Sequence, residues 1–474
     1  MKRFAILIAA LSASACTTVG PDHRSPLPTA PAQQPFAGAA SPLFNGDEPP
    51  GRWWSLLGDP VLDRLVEEAL AANTDLRVAA ANLRQARAVL RETRAGRLPT
   101  TQVSAGAQAS RASEVTTGGV PGGQDVQDIY DVGLDVNYQI DLFGRVTRAI
   151  EASRADVDAV QAAFDTTRIS VAAETARAYL EVCSTSRQLA VAQETVRIQQ
   201  ETYDLSRRLL EGGRFTALET SQAASLLETT RATIPTLEGQ RQSAAYRLSV
   251  LTGRPPADFP REITQCTRAP TIRQAIPVGN GATLLARRPD IRQAERRLAA
   301  STARVGVATA DLYPSISIGG SIGSTATSPG GLFSGGGFRF GVGPLLSFNF
   351  PNLSVARSRV RQAEAAAEAE LARFDGTWLT ALQETESALT IYARELERLE
   401  TLRRARAQAA EAARIARLRF QAGREGFQVV LDAERAIAQT DAAVAQSEAA
   451  LANQLVTLFL ALGGGWQEQA PAAS

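Results

Sequence analysis

From Ser354 to Gln421 the chain contains no proline and one glycine, Gly376. Within that stretch Leu371, Phe374, Trp378, Leu382, Thr385, Leu389, Tyr392, Leu396 and Leu399 recur at spacings of three and four. The mean of about 3.5 residues is the period of a coiled-coil helix. At 1.5 Å per residue such a helix spans about 100 Å. No compact domain needs such a rod; it suits a device that crosses a space.

The rod belongs to a tandem repeat. At an offset of 215, Asp75 meets Asp290, Arg77 meets Arg292, Leu83 meets Leu298, Ala95 meets Ala310 and Pro99 meets Pro314. At an offset of 210, Phe164-Asp165 meets Phe374-Asp375, Glu174-Thr175 meets Glu384-Thr385, Gly213-Arg214 meets Gly423-Arg424, Ala223 meets Ala433 and Gly253 meets Gly463. Each register holds over a long stretch, so the chain reads as two copies of one unit. Each copy predicts a helix, two strands and a long helical hairpin. A unit of about 200 residues exceeds any solenoid repeat and is half of a larger assembly. The expected divisions are 1–15, 16–52, a first repeat over 53–262, a second over 263–465, and a tail over 466–474.

Composition narrows the function classes. The 474 residues carry 50 Lys+Arg against 49 Asp+Glu, a net charge of +1, which gives no footprint for a nucleic-acid partner. Hydrophobic residues make up 44% but aromatic ones only 6%, and the alanine-rich remainder suits closely spaced helices. One histidine, His23, and three cysteines are a poor inventory for metal or nucleophilic chemistry. There is no HExxH, GxSxG, CxxC or P-loop pattern, and the glycines at 335–337 and 341–343 lack the setting of a dinucleotide fingerprint. The chain does not read as an enzyme, and no cofactor is expected.

The strand segments carry a different signal. From Tyr130 to Leu142 the even positions are Tyr130, Val132, Leu134, Val136, Tyr138, Ile140 and Leu142, whereas Asp131, Gly133, Asp135, Asn137, Gln139 and Asp141 fill the odd ones. In the second copy Phe338, Phe340, Val342, Leu346, Phe348 and Phe350 alternate with Arg339, Gly341, Gly343, Ser347 and Asn349. Thr101 to Ser110 and Ser315 to Gly323 alternate more weakly. Long strict alternation with concentrated aromatics matches a strand of an outer-membrane barrel; a soluble antiparallel sheet with one wet face is the alternative. Four strands per chain cannot enclose a lumen, and lipid tolerates no open edge. Closure then requires several chains, and three give twelve strands around a water-filled bore.

The N-terminus agrees with export. Lys2 and Arg3 precede the apolar run Phe4 to Leu11, which is too short to span a membrane, and small residues follow up to Cys16. Ala13-Ser14-Ala15-Cys16 resembles a bacterial lipobox with Cys16 as the lipid attachment site; ordinary cleavage near Ala15 with a free Cys16 is the alternative. Pro21 to Pro50 reads as an extended tether.

These features together resemble the outer-membrane factor (TolC-like) family, in particular its lipidated OprM/NodT branch. The resemblance is carried by Cys16-Thr17-Thr18-Val19-Gly20-Pro21-Asp22, Trp53-Trp54, Asp59-Pro60, Leu62-Asp63, Asn73 with Asp75-Leu76, Leu284 to Ile291, Ala294-Glu295-Arg296 and Tyr313-Pro314-Ser315. It implies a mainly α fold with a membrane β-barrel: a homotrimer joining a twelve-stranded barrel to a periplasmic α-helical barrel. It further implies the exit duct of a tripartite efflux pump in the cell outer membrane, anchored in lipid, with a periplasmic adaptor (membrane fusion protein) and an RND-type inner-membrane transporter as partners. A pore-less lipid-anchored coiled-coil scaffold, or the same duct serving protein export, are the alternative functions. The exported substrate cannot be read from the chain.

Site residues follow from the same resemblance. The hairpins are expected to turn at Gly213-Arg214 and Gly423-Arg424, forming adaptor-contacting tips. Gln428 and Asp432 lie four apart on one helix face, with Arg435 a turn beyond. Asp432 matches the family's gate aspartate, and Phe420 stands where an aromatic can brace closed hairpins. Three symmetry-related carboxylates at a constriction repel one another and favour cations or water over apolar solutes. A solvated helix-start carboxylate is the plainer reading of Asp432. Asp131, Asp135 and Asp141, opposite in parity to the aromatics, are expected to line the bore. Cys183 and Cys266 lie at similar heights above the tip in an oxidising compartment, which predicts a disulfide.

Overall fold

The structure is a computed structural model that describes residues 18–26, 35–111, 126–258, 263, 266–272, 274–348 and 350–464. The leader over 1–15, Cys16 and the tail over 466–474 lie outside the described residues.

The chain forms two compact units, and each draws on both halves of the sequence. Of the described residues, one unit takes those within 1–26, 83–160 and 293–375, and the other those within 27–82, 161–292 and 376–474. The stretches 53–262 and 263–465 are each divided between the two units.

The elements run β1 (Phe44–Asn45), α1 (Pro60–Ala72), α2 (Thr74–Ala95), β2 (Thr100–Ser110), β3 (Gln127–Ile140), α3 (Arg145–Glu211), α4 (Ala217–Arg231) and α5 (Thr233–Leu251). They continue as β4 (Ile276–Pro277), α6 (Gly281–Arg287), α7 (Pro289–Ala310), β5 (Ser315–Ala326), β6 (Phe338–Ser347), α8 (Leu353–Gln421) and α9 (Phe427–Ala461). The long helices are unbroken over 67 residues in α3 and 69 in α8. The return helix of the first hairpin is interrupted between Arg231 and Thr233, unlike α9. Pro235 explains this: it has no amide to donate to the Arg231 carbonyl four residues back.

In the first unit, β2-β3-β5-β6 form one antiparallel sheet in that order. The register aligns Tyr130 with Ala326, Leu134 with Ile322 and Tyr138 with Ile318, and then Ile322 with Phe340. One face is thus apolar across all four strands, and the other carries Asp131, Asp135, Gln102, Ser321 and Gly341. The apolar face is open: Phe340, Val342 and Val103 are each at least 75% exposed.

The second unit packs helices through small residues. Ala172, Ala173, Ala176 and Ala178 of α3 and Ala244 and Ala245 of α5 are at most 1% exposed. Trp53 stacks on Phe459 of α9 with ring centroids 4.9 Å apart, and both are fully buried. Corresponding positions make corresponding contacts. Asn73 donates to the Leu251 carbonyl at the end of α5, and Arg288 donates to the Ala461 carbonyl at the end of α9. Each satisfies a carbonyl that a helix end leaves without an internal partner. A disulfide joins Cys183 to Cys266, with Cα atoms 4.9 Å apart.

Candidate functional site

Both hairpins reverse through the same backbone device. Gly213 and Gly423 each adopt φ +68°, and nothing lies within 4 Å of where a Cβ would stand. Conformation, and not space, therefore selects glycine. The amide of Arg214 bonds to the Leu209 carbonyl at 2.8 Å, and that of Arg424 to the Arg419 carbonyl at 2.9 Å. Both arginine side chains are exposed at the turn. Thr216 then caps α4 in a reciprocal box with Glu219, whereas Gly426 begins α9 without a side-chain cap.

Behind the turns sits an apolar cluster. Phe427 lies 4.8 Å from Phe215 and 5.5 Å from Phe420 between ring centroids, and all three rings are tilted to one another. Val430 and Leu431 of α9, Ala416 of α8 and Ala223 of α4 complete the buried cluster. Phe420 thus packs against both hairpins. Its partners Phe215 and Phe427 escaped the sequence reading, although each lies within a turn of a tip glycine.

The neighbouring, exposed side of α9 carries the polar trio. Asp432 accepts from Gln428 Nε2 at 3.2 Å and from Arg435 Nη1 at 2.9 Å. All three side chains are exposed. Asp432 is thus held by a cation from its own helix and stays accessible to solvent.

On the buried face itself, a turn beyond Val430 and Leu431, stands a carboxylate that the sequence reading missed. Glu434 is 2% exposed. It accepts from Thr202 of α3 at 2.8 Å and from Arg417 Nε of α8 at 3.2 Å, so one side chain ties three helices. Its second oxygen, Arg417 Nη2 and the side-chain amide of Gln199 are buried without a hydrogen-bond partner among the described residues. Burial pushes the Glu434 carboxyl above the usual carboxylate range, with Thr202 and Arg417 opposing this in part.

On the sheet, Asp131 and Asp135 share the polar face, as their parity predicts. Asp131 is neutralised: Arg339 of β6 contacts both its oxygens at 3.0 and 2.9 Å, and Thr325 of β5 donates to it. Asp135 has no ion pair among the described residues. Asp141 lies one residue beyond β3, which ends at Ile140. Its carboxylate accepts the amides of Val146 and Thr147 at 2.9 and 2.8 Å, and the Thr147 hydroxyl. These contacts satisfy donors that the first turn of α3 leaves open.

Comparison with known proteins agrees with this architecture. The sequence model of the family described as outer membrane efflux protein matches residues 65–254 and 281–464. Outer membrane protein OprJ of Pseudomonas aeruginosa is 33% identical over 465 residues, covering 98% of this chain and 95% of that protein. Nodulation protein T of Rhizobium leguminosarum bv. viciae is 30% identical over 467 residues, covering 98% and 94%. Among solved structures, the outer-membrane channel OprN matches with a TM-score of 0.88 at 36% identity, over 95% of this chain and 100% of that one. The chain belongs to the outer membrane efflux protein family and is an outer-membrane efflux channel.

Proposed function

We propose that three copies of this chain close into one duct, with a twelve-stranded barrel in the outer membrane and a periplasmic barrel of helical hairpins. The observation that carries this is the four-stranded sheet. It has one apolar face and one polar face, and its outer strands β2 and β6 each leave an edge unpaired among the described residues. A bilayer tolerates neither open edges nor a polar face turned to lipid. Three sheets joined edge to edge place the apolar faces outward and Asp131 and Asp135 along the bore. The two sequence repeats then supply equivalent hairpins around the periplasmic barrel.

The tips at Gly213-Arg214 and Gly423-Arg424 seat a periplasmic adaptor, which joins the duct to an inner-membrane transporter of RND type. The Asp432 ring, with Gln428 and Arg435, forms the periplasmic constriction, and the aromatic cluster at Phe420 braces it. Solutes pass without chemistry once the inner hairpins separate, and an acyl chain on Cys16 adds a lipid anchor. The mass of the detergent-solubilised protein tests the assembly. Three chains, migrating together until boiled, are expected; a monomer or dimer in a properly inserted preparation overturns the duct.

A further inference from the structure

A cleft of about 650 Å³ opens where the sheet meets the helices. Its walls come from the end of β3, the start of β5, the end of β6 and the adjoining ends of α3, α7 and α8. The register fixes these strand ends side by side, since Ile140 faces Ile316 and Ser315 faces Ser347. Two guanidinium groups stand in the cleft around a single carboxylate. Arg145 Nε lies 3.0 Å from Asp311 Oδ1, and Arg359 Nη1 only loosely, 3.9 Å, from Asp311 Oδ2. No other acceptor among the described residues holds either arginine, and their side chains are 51% and 64% exposed. Asp141 also lines the cleft, but its oxygens are committed to the start of α3. Most guanidinium N–H groups therefore remain available, in the fork geometry that suits a phosphate.

The remaining wall sets aromatic and apolar side chains beside Gln139, Ser315, Ser347 and Asn352. Phe143 stacks on Tyr313 at 4.6 Å, and Phe348 lies parallel to Phe350 at 6.2 Å. Ile140, paired with Ile316, carries the apolar sheet face into the cleft, with Phe348 beside it in the lining. The site thus offers cationic donors, a neighbouring carboxylate and an apolar path leading away along the strands. The amide of Val19, three residues after Cys16, bonds to the Phe143 carbonyl at 3.2 Å, which brings the start of the tether to the same wall.

We infer that this cleft binds the headgroup of a zwitterionic glycerophospholipid at the periplasmic rim of the barrel. Arg145 and Arg359 take the phosphodiester, Asp311 faces the ammonium group, and the acyl chains follow the apolar sheet face beyond Ile140. The inference rests on the proposed placement of the sheet in the bilayer. It explains why the charges here balance: a purely anionic ligand would meet Asp311 and Asp141, whereas a zwitterion meets both signs.

Native mass spectrometry of the solubilised protein tests it, with dioleoylphosphatidylethanolamine as the probe. Dioleoylglycerol supplies the same chains without phosphate, and inorganic phosphate supplies the anion without chains. Retention of the phospholipid, up to one per chain, is expected, with neither control retained. Arg359→Gln, which removes only a loose contact, is expected to weaken retention about tenfold, the loss of roughly one charge-assisted hydrogen bond. Arg145→Gln acts in the same direction, while Arg304→Gln, at the separate Arg304–Asp156 pair, leaves retention unchanged. Equal retention of dioleoylglycerol, binding of phosphate alone, indifference to Arg359→Gln, or no retained lipid each overturns the inference. Conductance of the same preparation in bilayers separates this failure from failure of the duct itself.

Discussion

Glu434 offers the sharpest test of how the hairpins are held. Its carboxylate is buried, bonded to Thr202 and to Arg417, and leaves one oxygen without a partner. Replacing it with alanine takes the acceptor from Arg417 Nε, while the Thr202 hydroxyl keeps the Ile198 carbonyl at 3.2 Å. An orphaned buried polar partner costs about 1–3 kcal/mol, and the Arg417 share falls at the low end because its side chain is 39% exposed. A net loss of about 1–3 kcal/mol is expected for Glu434→Ala. Glu434→Gln keeps the accepting oxygen and removes the buried charge. It should stay within about 1 kcal/mol of the parent, or exceed it, since a buried ion pair often gains nothing over a neutral replacement. The pH dependence has a definite sign. Burial raises the carboxyl's pKa, so the folded chain holds this proton to higher pH than the unfolded chain. The stability contributed is present below the ordinary carboxylate range and is lost as pH rises through the raised folded value. Thermal unfolding followed by circular dichroism between pH 4 and 8, on parent and both variants, reads all three effects. Glutamine at or above the parent at pH 8, alanine clearly below, and a flattened acid-range slope in Glu434→Gln are expected. Alanine as stable as glutamine, or a parent that gains on Glu434→Gln as pH rises, refutes the reasoning.

Two further predictions concern the disulfide and the bore. The Cys183–Cys266 bridge spans a sequence separation of 83, for which chain entropy alone gives about 4.5 kcal/mol. Thiol titration of the unfolded, unreduced protein should find neither cysteine reactive, and reduction should lower the unfolding midpoint in denaturant. In bilayers under a salt gradient, Asp135→Asn should weaken cation preference. Asp131→Asn should weaken it further because Arg339 loses its carboxylate, and Arg339→Gln should strengthen it; unchanged reversal potentials in all three remove these residues from the bore.

Periodic signals in the sequence translated directly into structure. The heptad run from Ser354 to Gln421 is α8 to within one residue. Alternation located all four strands, because pleating puts every second side chain on one face. The turn glycines were visible because positive φ leaves few other choices. Boundaries set by side-chain chemistry were harder to see. Asp141 extends the alternating pattern by parity, yet the open amides of α3 claim its carboxylate and end the strand before it. Glu434 looked like one acidic residue among many on a helix surface. Its position was nevertheless readable, since it stands three and four residues after Leu431 and Val430, both buried. The break before Pro235 was likewise legible but overshadowed by the length of the surrounding helical pattern. The tie from Glu434 to Thr202 and Arg417, by contrast, joins residues far apart in sequence. No local pattern records it.

The central claim is a pore with an acidic constriction at Asp432. Single-channel conductance of the purified, lipidated protein in planar bilayers, wild type against Asp432→Ala, tests it most directly. Removing Asp432 frees Gln428 and Arg435 from the carboxylate that holds them and, in the proposed trimer, takes three charges from the proposed constriction. A small wild-type conductance that rises markedly in the variant is the predicted result. Equal conductance in both moves the gate away from Asp432, and no conductance from a properly inserted trimer contradicts the pore itself.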